Sequence, residues 1–261
     1  MQKEILHFKE IGEAHRFRGT LLILHGLFGS LDNWQTVART LAEIYHVVLA
    51  DLRNHGRSFR AESMSYPEMA ADVAHLIEYL QPLRTTVVGH SMGGKVAMQL
   101  AADFPNHLQK LVVIDIAPRA YPPHHQHILE GLNAIPLDKL QSRQQAEEIL
   151  SHYVDLPSIR QFLLKNLYRT EDNRFTWRFH LPVITREIQQ IGAPLTYSQP
   201  INIPALFVKG ERSSYITDED AVQIANIFPH SQLITIPNAS HWVHAEQPTA
   251  LIKALHTFVA L

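Results

Sequence analysis

The stretch Gly89-His-Ser-Met-Gly93 carries the pattern G-x-S-x-G. The apolar run Thr85–Val88 before it predicts a buried strand, and the apolar spacing of Lys95–Phe104 after it predicts a helix. A sharp turn between a strand and a helix lifts a serine hydroxyl clear of the backbone, and small flanking residues avoid clashes in that strained turn. In this context the pattern predicts that Ser91 is a nucleophile.

Short apolar runs alternate with helix-like segments along most of the chain. Most of the predicted strands are apolar throughout rather than alternating, as strands buried on both faces are; they comprise Thr20–Leu24, His46–Ala50, Thr85–Val88, Leu111–Ile114, Pro204–Val208 and Gln232–Ile236. Helical spacing occurs in Trp34–Ile44, Tyr66–Leu80, Lys95–Phe104, Asp218–Ile227 and Thr249–Val259. The alternating segment Glu4–Lys9 is expected to begin an antiparallel hairpin at the sheet edge. This order predicts an α/β fold, a mostly parallel sheet with helices on both faces.

The alternation stops between about residues 118 and 200. Amphipathic helices are predicted there in Ala134–Ser151 and Ser158–Leu167, and no strand is predicted. A segment of this length is too long to be a simple connection in a compact domain. We therefore expect residues 118–192 to form a helical lid, inserted into a core made of residues 1–117 and 193–261.

Composition excludes several classes of protein. The chain has 261 residues, 46% of them hydrophobic, a formal net charge of −2 and no cysteine. These values argue against a disordered chain, a nucleic-acid partner, a disulfide scaffold and a cysteine nucleophile. The amino terminus lacks an apolar stretch, and every apolar run is too short to cross a bilayer. We expect a soluble, cytoplasmic protein with no membrane span.

A serine hydroxyl needs a base to become a nucleophile. Among 17 histidines, His241 is the best candidate because it follows the predicted strand Gln232–Ile236 across a short loop near the end of the chain. In a doubly wound sheet that loop lies at the same edge as Ser91. We predict that His241 is the general base.

The oxyanion formed during acyl transfer needs backbone donors. The N–H of Met92 directly follows the nucleophile. The second donor is expected in the loop His25-Gly-Leu-Phe-Gly29 after a predicted strand, where glycine allows close approach of the backbone. We predict that Leu27 supplies it.

Several of these motifs resemble the α/β-hydrolase superfamily. They are His25-Gly26, the serine motif and His241-Trp-Val-His-Ala-Glu-Gln-Pro248. The stretches Leu24–Trp34 and Asp51–Ser58 resemble more closely the small esterases of the YbfF type and their mitochondrial relatives. The resemblance covers most of the chain outside the lid. It implies the α/β-hydrolase fold and hydrolysis of short- to medium-chain esters, with acyl-CoA thioesters as further candidates. This chemistry needs no cofactor and no metal.

The acid that orients the histidine departs from the common plan. Most of the superfamily carries Gly-x-x-Asp after the strand that follows the lid, but this chain has Ser213 at the position of the aspartate. Asp115 ends the apolar run Leu111–Ile114, where an unpartnered carboxylate would be costly to bury. Esterases of the YbfF type have their acid at the corresponding position. We therefore predict Asp115 as the acid.

Other carboxylates remain alternatives to Asp115. They are Glu211, Asp218 and Asp220. If they are not catalytic, these residues are interpreted as solvated surface charges or as favourable charges at a helix N-terminus. Ser213 is expected to be an auxiliary group that hydrogen-bonds the histidine or the aspartate. The Arg53-Asn-His-Gly56 turn is interpreted as structural, with Arg53 in an ion pair.

Residues that contact the substrate are harder to predict. Phe28 and Trp242 flank the proposed catalytic groups, and Trp177 and Phe179 either line an acyl pocket or pack the lid. The lid histidines at positions 124, 125 and 127 are interpreted as surface residues, because no carboxylate cluster accompanies them to bind a metal.

Other functions are compatible with the same serine site. A carbon–carbon bond hydrolase or a cofactor-free haloperoxidase would share the catalytic residues and differ in the pocket. A non-catalytic ligand-binding protein of this fold would have no use for them. The preferred substrate is a small ester or thioester, and the sequence does not indicate the oligomeric state.

Overall fold

The computed structural model describes residues 4–122 and 125–260. Each apolar run that predicts a strand forms one, with shifts of at most two residues at either end. The strands are β1 Phe8–Ile11, β2 Thr20–Leu24, β3 His46–Ala50, β4 Thr85–His90, β5 Lys110–Ile114, β6 Leu167–Arg169, β7 Phe175–Trp177, β8 Ala205–Gly210 and β9 Ser231–Ile236. The α-helices are α1 Gln35–Leu41, α2 Tyr66–Leu80, α3 Met92–Asp103, α4 Gln126–Ala134, α5 Arg143–Ser151, α6 Pro157–Leu164, α7 Leu181–Gly192, α8 Asp218–Ile227, α9 Val243–Glu246 and α10 Pro248–Ala260.

A seven-stranded sheet has the order β1-β3-β2-β4-β5-β8-β9. Its neighbouring strands are parallel, except that β1 is antiparallel to β3. Leu24 pairs with Gly89, and Ile114 pairs with both His90 and Val208. The carboxyl ends of these strands are therefore level, and the loops that follow them meet at one edge of the sheet.

Side chains of the sheet alternate between two buried faces. In β2, Leu22 and Leu24 belong to one apolar cluster, whereas Leu21 and Ile23 belong to the other. Helices α2 and α3 pack on the first face, and α1 and α10 pack on the second. This arrangement confirms the predicted fold class.

The N-terminal strand does not form the predicted hairpin. Instead of pairing with β2, β1 pairs with β3, with Phe8 opposite Ala50. The chain between β1 and β2 forms a 3-10 helix, Glu13–Arg18. A helical connection cannot act as the tight turn of a hairpin, and β1 lies at the sheet edge beside β3.

The predicted insert contains helices α4 to α7 and also two strands, β6 and β7, so the prediction that it contains no strand is wrong. β6 and β7 are antiparallel, with Leu167 opposite Trp177. Each has three residues, which is too short for alternation to be recognised in the sequence.

The single amphipathic segment predicted at Ala134–Ser151 is also divided in two. α4 ends at its first residue, and α5 begins only at Arg143. Pro136 in the gap cannot continue the hydrogen bonding of a helix, and Ser142 Oγ accepts from the Gln145 N–H (3.1 Å) as the N-cap of α5. None of the helices in the described ranges is long and apolar enough to span a bilayer.

Candidate active site

Ser91 lies at the turn between β4 and α3. Its φ of 53° and ψ of −120° are unusual for a residue with a side chain. The turn requires glycine at two positions. A Cβ on Gly89 would lie 2.1 Å from the carbonyl oxygen of Gly93, and one on Gly93 would lie 2.5 Å from that of His25. The sharp strand-to-helix turn that the sequence pattern predicts is therefore present.

Asp115 follows β5 and its side chain is completely buried. Its Oδ1 accepts from the N–H of Gly210 (2.9 Å), at the end of the neighbouring strand β8. Its Oδ2 accepts from His241 Nδ1 (2.8 Å) and from the hydroxyl of Ser213. These three donors replace the water that the carboxylate loses on burial.

His241 is held in position on several sides. Its Nδ1 is used by Asp115, so Nε2 is the nitrogen that remains for a reacting hydroxyl. The ring stacks on Tyr215, with centroids 3.9 Å apart and an interplanar angle of 17°. The main-chain oxygen of His241 accepts from His90 Nε2 (2.8 Å). Burial and the neighbouring His241 lower the pKa of His90 well below its usual value, so His90 is neutral.

The alternative carboxylates have other partners. Asp220 binds the guanidinium of Arg119 (2.9 Å), and Glu211 accepts from the N–H of Asn238 (2.7 Å). Asp218 is the first residue of α8. Within the described residues, Asp115 supplies the carboxylate that contacts His241.

The loop after β2 is supported from behind by two histidines. His25 Nδ1 donates to the carbonyl of Gly26 (2.8 Å), and its Nε2 accepts from the N–H of Leu52 (3.0 Å). His55 Nε2 accepts from the N–H of Phe28 (3.2 Å). Burial lowers the pKa of His25 to about 4 and that of His55 to about 3. Both imidazoles are therefore neutral near pH 7, as these hydrogen bonds require.

This role of His55 was not predicted. The ion pair expected for Arg53 is present, because its Nε lies 2.6 Å from Asp72 Oδ2. The same turn also carries His55, which reaches the loop after β2. No signal in the sequence points to this contact, because the two loops are far apart along the chain.

Leu27 and Met92 are the predicted oxyanion donors. Met92 is the first residue of α3, so its N–H has no acceptor within the helix. Leu27 lines the same cavity as Ser91, and a Cβ on the adjacent Gly26 would lie only 3.3 Å from Ser91 Cβ. Both donors thus belong to segments beside Ser91, and their role in binding an oxyanion stays a prediction.

A cavity of about 240 Å³ opens beside Ser91 and His241. Of the predicted pocket residues, Phe28 and Trp242 line it. Trp177 and Phe179 are not among its lining residues; they stack on each other, with centroids 5.1 Å apart, and are almost completely buried. Phe179 packs against Phe28 at 5.4 Å, so this pair supports the cavity wall from behind.

The predicted insert contributes to this cavity apolar residues that were not predicted from the sequence. They are Ile128 in α4 and Ile159, Phe162 and Leu163 in α6. Their amphipathic helices were a usable signal, but the side of each helix that faces the core depends on packing.

The lid histidines lie close to the site. His125 and His127 line the cavity, whereas the residue at position 124 lies outside the described residues. Across residues 4–122 and 125–260, no cluster of three or more histidine, aspartate or glutamate side chains has a geometry suited to a metal ion.

Comparison with known proteins identifies the family. Residues 19–248 match the model of the alpha/beta hydrolase fold family. The chain is 37% identical to Esterase YbfF of Escherichia coli, over 92% of each chain, and 38% identical to an sn-1-specific diacylglycerol lipase of Xenopus laevis, over 92% of this chain and 79% of the lipase. The structure of an esterase from a marine microorganism superimposes with a TM-score of 0.94 at 41% identity, over 98% of this chain and all of that one. The chain therefore belongs to the α/β-hydrolase fold family and is an esterase-type member similar to YbfF.

Proposed function

We propose that this hydrolase is a serine esterase that cleaves carboxylic esters and thioesters with short- to medium-length acyl chains. The proposed catalytic residues are Ser91, His241 and Asp115. The observation that carries the proposal is the 2.8 Å hydrogen bond between His241 Nδ1 and Asp115 Oδ2, in a molecule where His241 and Ser91 line one cavity.

In the first half of the reaction, Ser91 Oγ attacks the carbonyl carbon and its proton moves to His241 Nε2. The imidazolium that forms is stabilised by the carboxylate of Asp115, which also keeps the ring in the tautomer that accepts at Nε2. His241 then gives the proton to the departing alcohol or thiol, which leaves an acyl group on Ser91.

The negative charge on the substrate oxygen is bound by the N–H groups of Leu27 and Met92. The N-terminus of α3 adds the favourable end of its helix dipole at the same point. In the second half, water takes the place of the alcohol, gives its proton to His241 and releases the acid. Ser213 assists by donating a hydrogen bond to the carboxylate that orients His241.

Thioesters, including acyl-CoA, undergo the same two steps with a thiol as the leaving group. Thioesters need no separate catalytic group. The size of the cavity beside Ser91 then limits which leaving groups the enzyme accepts. Activity toward both classes is measurable with one panel of p-nitrophenyl esters and acyl-CoA thioesters.

The test compares wild type with Ser91→Ala on that panel. We expect turnover to be lost in Ser91→Ala and retained in Ser198→Ala, an exposed serine that does not line the Ser91 cavity. In the wild type, rapid quenching followed by mass spectrometry should detect an acyl group on Ser91. Full activity of Ser91→Ala would contradict the proposal.

A further inference from the structure

Ser91 lies between two cavities of different size. The larger, about 240 Å³, is lined on one side by His241. The smaller, about 40 Å³, is lined by Met92 and Lys95 from α3. Ser91 and Leu27 line both cavities. An ester bound at Ser91 has two substituents to accommodate, and the molecule offers one space for each.

The chemistry decides which substituent enters which cavity. The leaving oxygen or sulfur takes its proton from His241, so it must lie within hydrogen-bond reach of that imidazole. Among the described residues, His241 lines the larger cavity and not the smaller one. We propose that the smaller cavity binds the acyl group and the larger cavity binds the alcohol or thiol. The enzyme then prefers short acyl chains joined to bulky leaving groups, an inference that rests on the proposed serine mechanism.

The volumes set the scale of this preference. A water-sized group needs about 10–15 Å³ of such space, so the smaller cavity of about 40 Å³ accommodates roughly three groups of that size. The larger cavity has about six times this volume (240 against 40 Å³). A butyryl chain, with three carbons beyond the carbonyl, matches the smaller cavity, and an octanoyl chain exceeds it.

Two tyrosines that line the smaller cavity are fixed by hydrogen bonds to main-chain oxygens. Tyr66 donates its hydroxyl to the carbonyl of Ile191 (2.7 Å) in α7. Tyr121 donates its hydroxyl to the carbonyl of Tyr215 (2.5 Å). Since a buried carbonyl without a donor costs about 1–3 kcal/mol, these walls resist widening for a longer chain.

Lys95 adds a charged group to the lining of the same cavity, with Nζ 5.6 Å from the centroid of the Tyr66 ring and 5.0 Å from that of Tyr121. The residue is 1% exposed, and Nζ donates to the carbonyls of Arg119 (2.9 Å) and Ala193 (2.5 Å). Burial lowers the pKa of Lys95 to about 8, so the group is mostly an ammonium near pH 7. An apolar chain that extended to this point would meet a cation already committed to two carbonyls.

The first test varies one substituent at a time in the wild type. With p-nitrophenol as the constant leaving group, we expect kcat/KM to be at least about tenfold lower for the octanoate than for the butyrate. With butyrate as the constant acyl group, the 2-phenylethyl ester should be hydrolysed with a higher kcat/KM than the ethyl ester. Equal or faster hydrolysis of the octanoate, or of the ethyl ester, would overturn the assignment.

The second test enlarges each cavity separately. Ile191→Ala removes side-chain volume from the smaller cavity, and Phe162→Ala removes it from the larger one. We expect Ile191→Ala to reduce the octanoate penalty by about tenfold, and Phe162→Ala to leave that penalty within about twofold of wild type. Ile188→Ala, which also lines the smaller cavity, serves in place of Ile191→Ala if the latter does not fold.

The outcomes separate this inference from the mechanism on which it rests. Retained activity in Ser91→Ala would contradict the serine mechanism itself. If Ser91→Ala is inactive but Phe162→Ala, rather than Ile191→Ala, changes the ratio of octanoate to butyrate hydrolysis, only the assignment of the two cavities is wrong.

Discussion

The carboxylate of Asp115 accepts from three donors, one of which is His241 Nδ1. Asparagine has a similar shape, but its amide N–H₂ can donate to Nδ1 and so favours the unproductive tautomer of the imidazole. We expect Asp115→Asn to lower kcat for p-nitrophenyl butyrate by about 10³–10⁴-fold while the protein stays folded. Steady-state kinetics together with circular dichroism would measure both properties.

The matched control is Asp218→Asn, at the start of α8. Asp218 is exposed and has no contact with His241 among the described residues. The kcat of Asp218→Asn should therefore stay within about twofold of the wild-type value, as is usual for a surface substitution. A larger loss of kcat in Asp218→Asn than in Asp115→Asn would refute the choice of acid.

At the scale of single residues, the sequence allows prediction where a residue conflicts with its surroundings. Asp115 is a carboxylate at the end of a buried apolar run, where it needs a partner. This conflict predicts a contact with the catalytic histidine, and the structure contains the contact with His241. Trp177 and Phe179 give no such signal, because an aromatic side chain is equally suited to a pocket wall and to a packed core. Only the tertiary packing determines that they lie behind Phe28.

The strand-to-helix turn around Ser91 is the element with the least room for additional atoms. Gly89, near the end of β4, packs directly against the first turn of α3. A Cβ on Gly89 would lie 2.1 Å from the carbonyl oxygen of Gly93. This oxygen belongs to the backbone and cannot move without disturbing the turn. We expect Gly89→Ala to lower the free energy of unfolding by more than about 3 kcal/mol, measured by urea denaturation.

Asp103→Ala provides the comparison for that measurement. Asp103 is the exposed last residue of the same helix, α3, so its replacement should change the free energy of unfolding by less than about 0.5 kcal/mol. Equal stability of Gly89→Ala and Asp103→Ala would mean that the turn is able to relax.

At the scale of elements, length determines what the sequence reveals. The six parallel strands of the central sheet, β2, β3, β4, β5, β8 and β9, are mainly apolar runs of five or six residues, and their boundaries are predicted to within two residues. β6 and β7 are too short to show a pattern, and the division between α4 and α5 depends on a proline and a cap within a continuous amphipathic segment.

The loop after β2 makes stability dependent on pH. His25 and His55 accept backbone N–H groups and have folded-state pKa values of about 4 and about 3, against 6.5 in the unfolded chain. The unfolded chain therefore binds protons first, and the stability present above pH 6.5 is lost as the pH falls toward 4. We expect these two histidines to contribute a loss of about 2–3 kcal/mol per pH unit in this interval, measured by urea denaturation.

His55→Gln tests the source of this dependence. Glutamine carries both a donor and an acceptor but does not titrate, so this variant should lose about 1.4 kcal/mol less per pH unit than wild type. An unchanged slope would indicate that other groups, such as the buried His244, whose pKa burial also lowers, account for the acid sensitivity.

At the scale of the whole molecule, the hydrogen bonds between the predicted core and the predicted insert end largely on main-chain carbonyls. Asn166 Nδ2 of the insert donates to the carbonyl of Phe28 (2.8 Å), and the His180 N–H donates to the carbonyl of Asn54 (2.8 Å). Lys95 is the corresponding donor from the core, and it reaches both places where the chain passes between core and insert. The loop after β2, beside Ser91, is thus hydrogen-bonded to the predicted insert.

Lys95→Met removes the two hydrogen bonds that Lys95 Nζ donates, while keeping a side chain of similar length. The carbonyls of Arg119 and Ala193 lose a charged donor, which costs about 2–3 kcal/mol and should lower Tm by about 5–10 °C.

Lys110→Met is a close control, because Lys110 Nζ likewise binds two carbonyls, those of Phe258 (3.0 Å) and Val259 (3.1 Å), at the end of α10. Since Lys95, unlike Lys110, binds carbonyls at both ends of the predicted insert, limited proteolysis should cut within residues 118–192 faster in Lys95→Met than in Lys110→Met. Equal cleavage rates, or first cleavage outside that segment, would show that the insert is held by its other contacts.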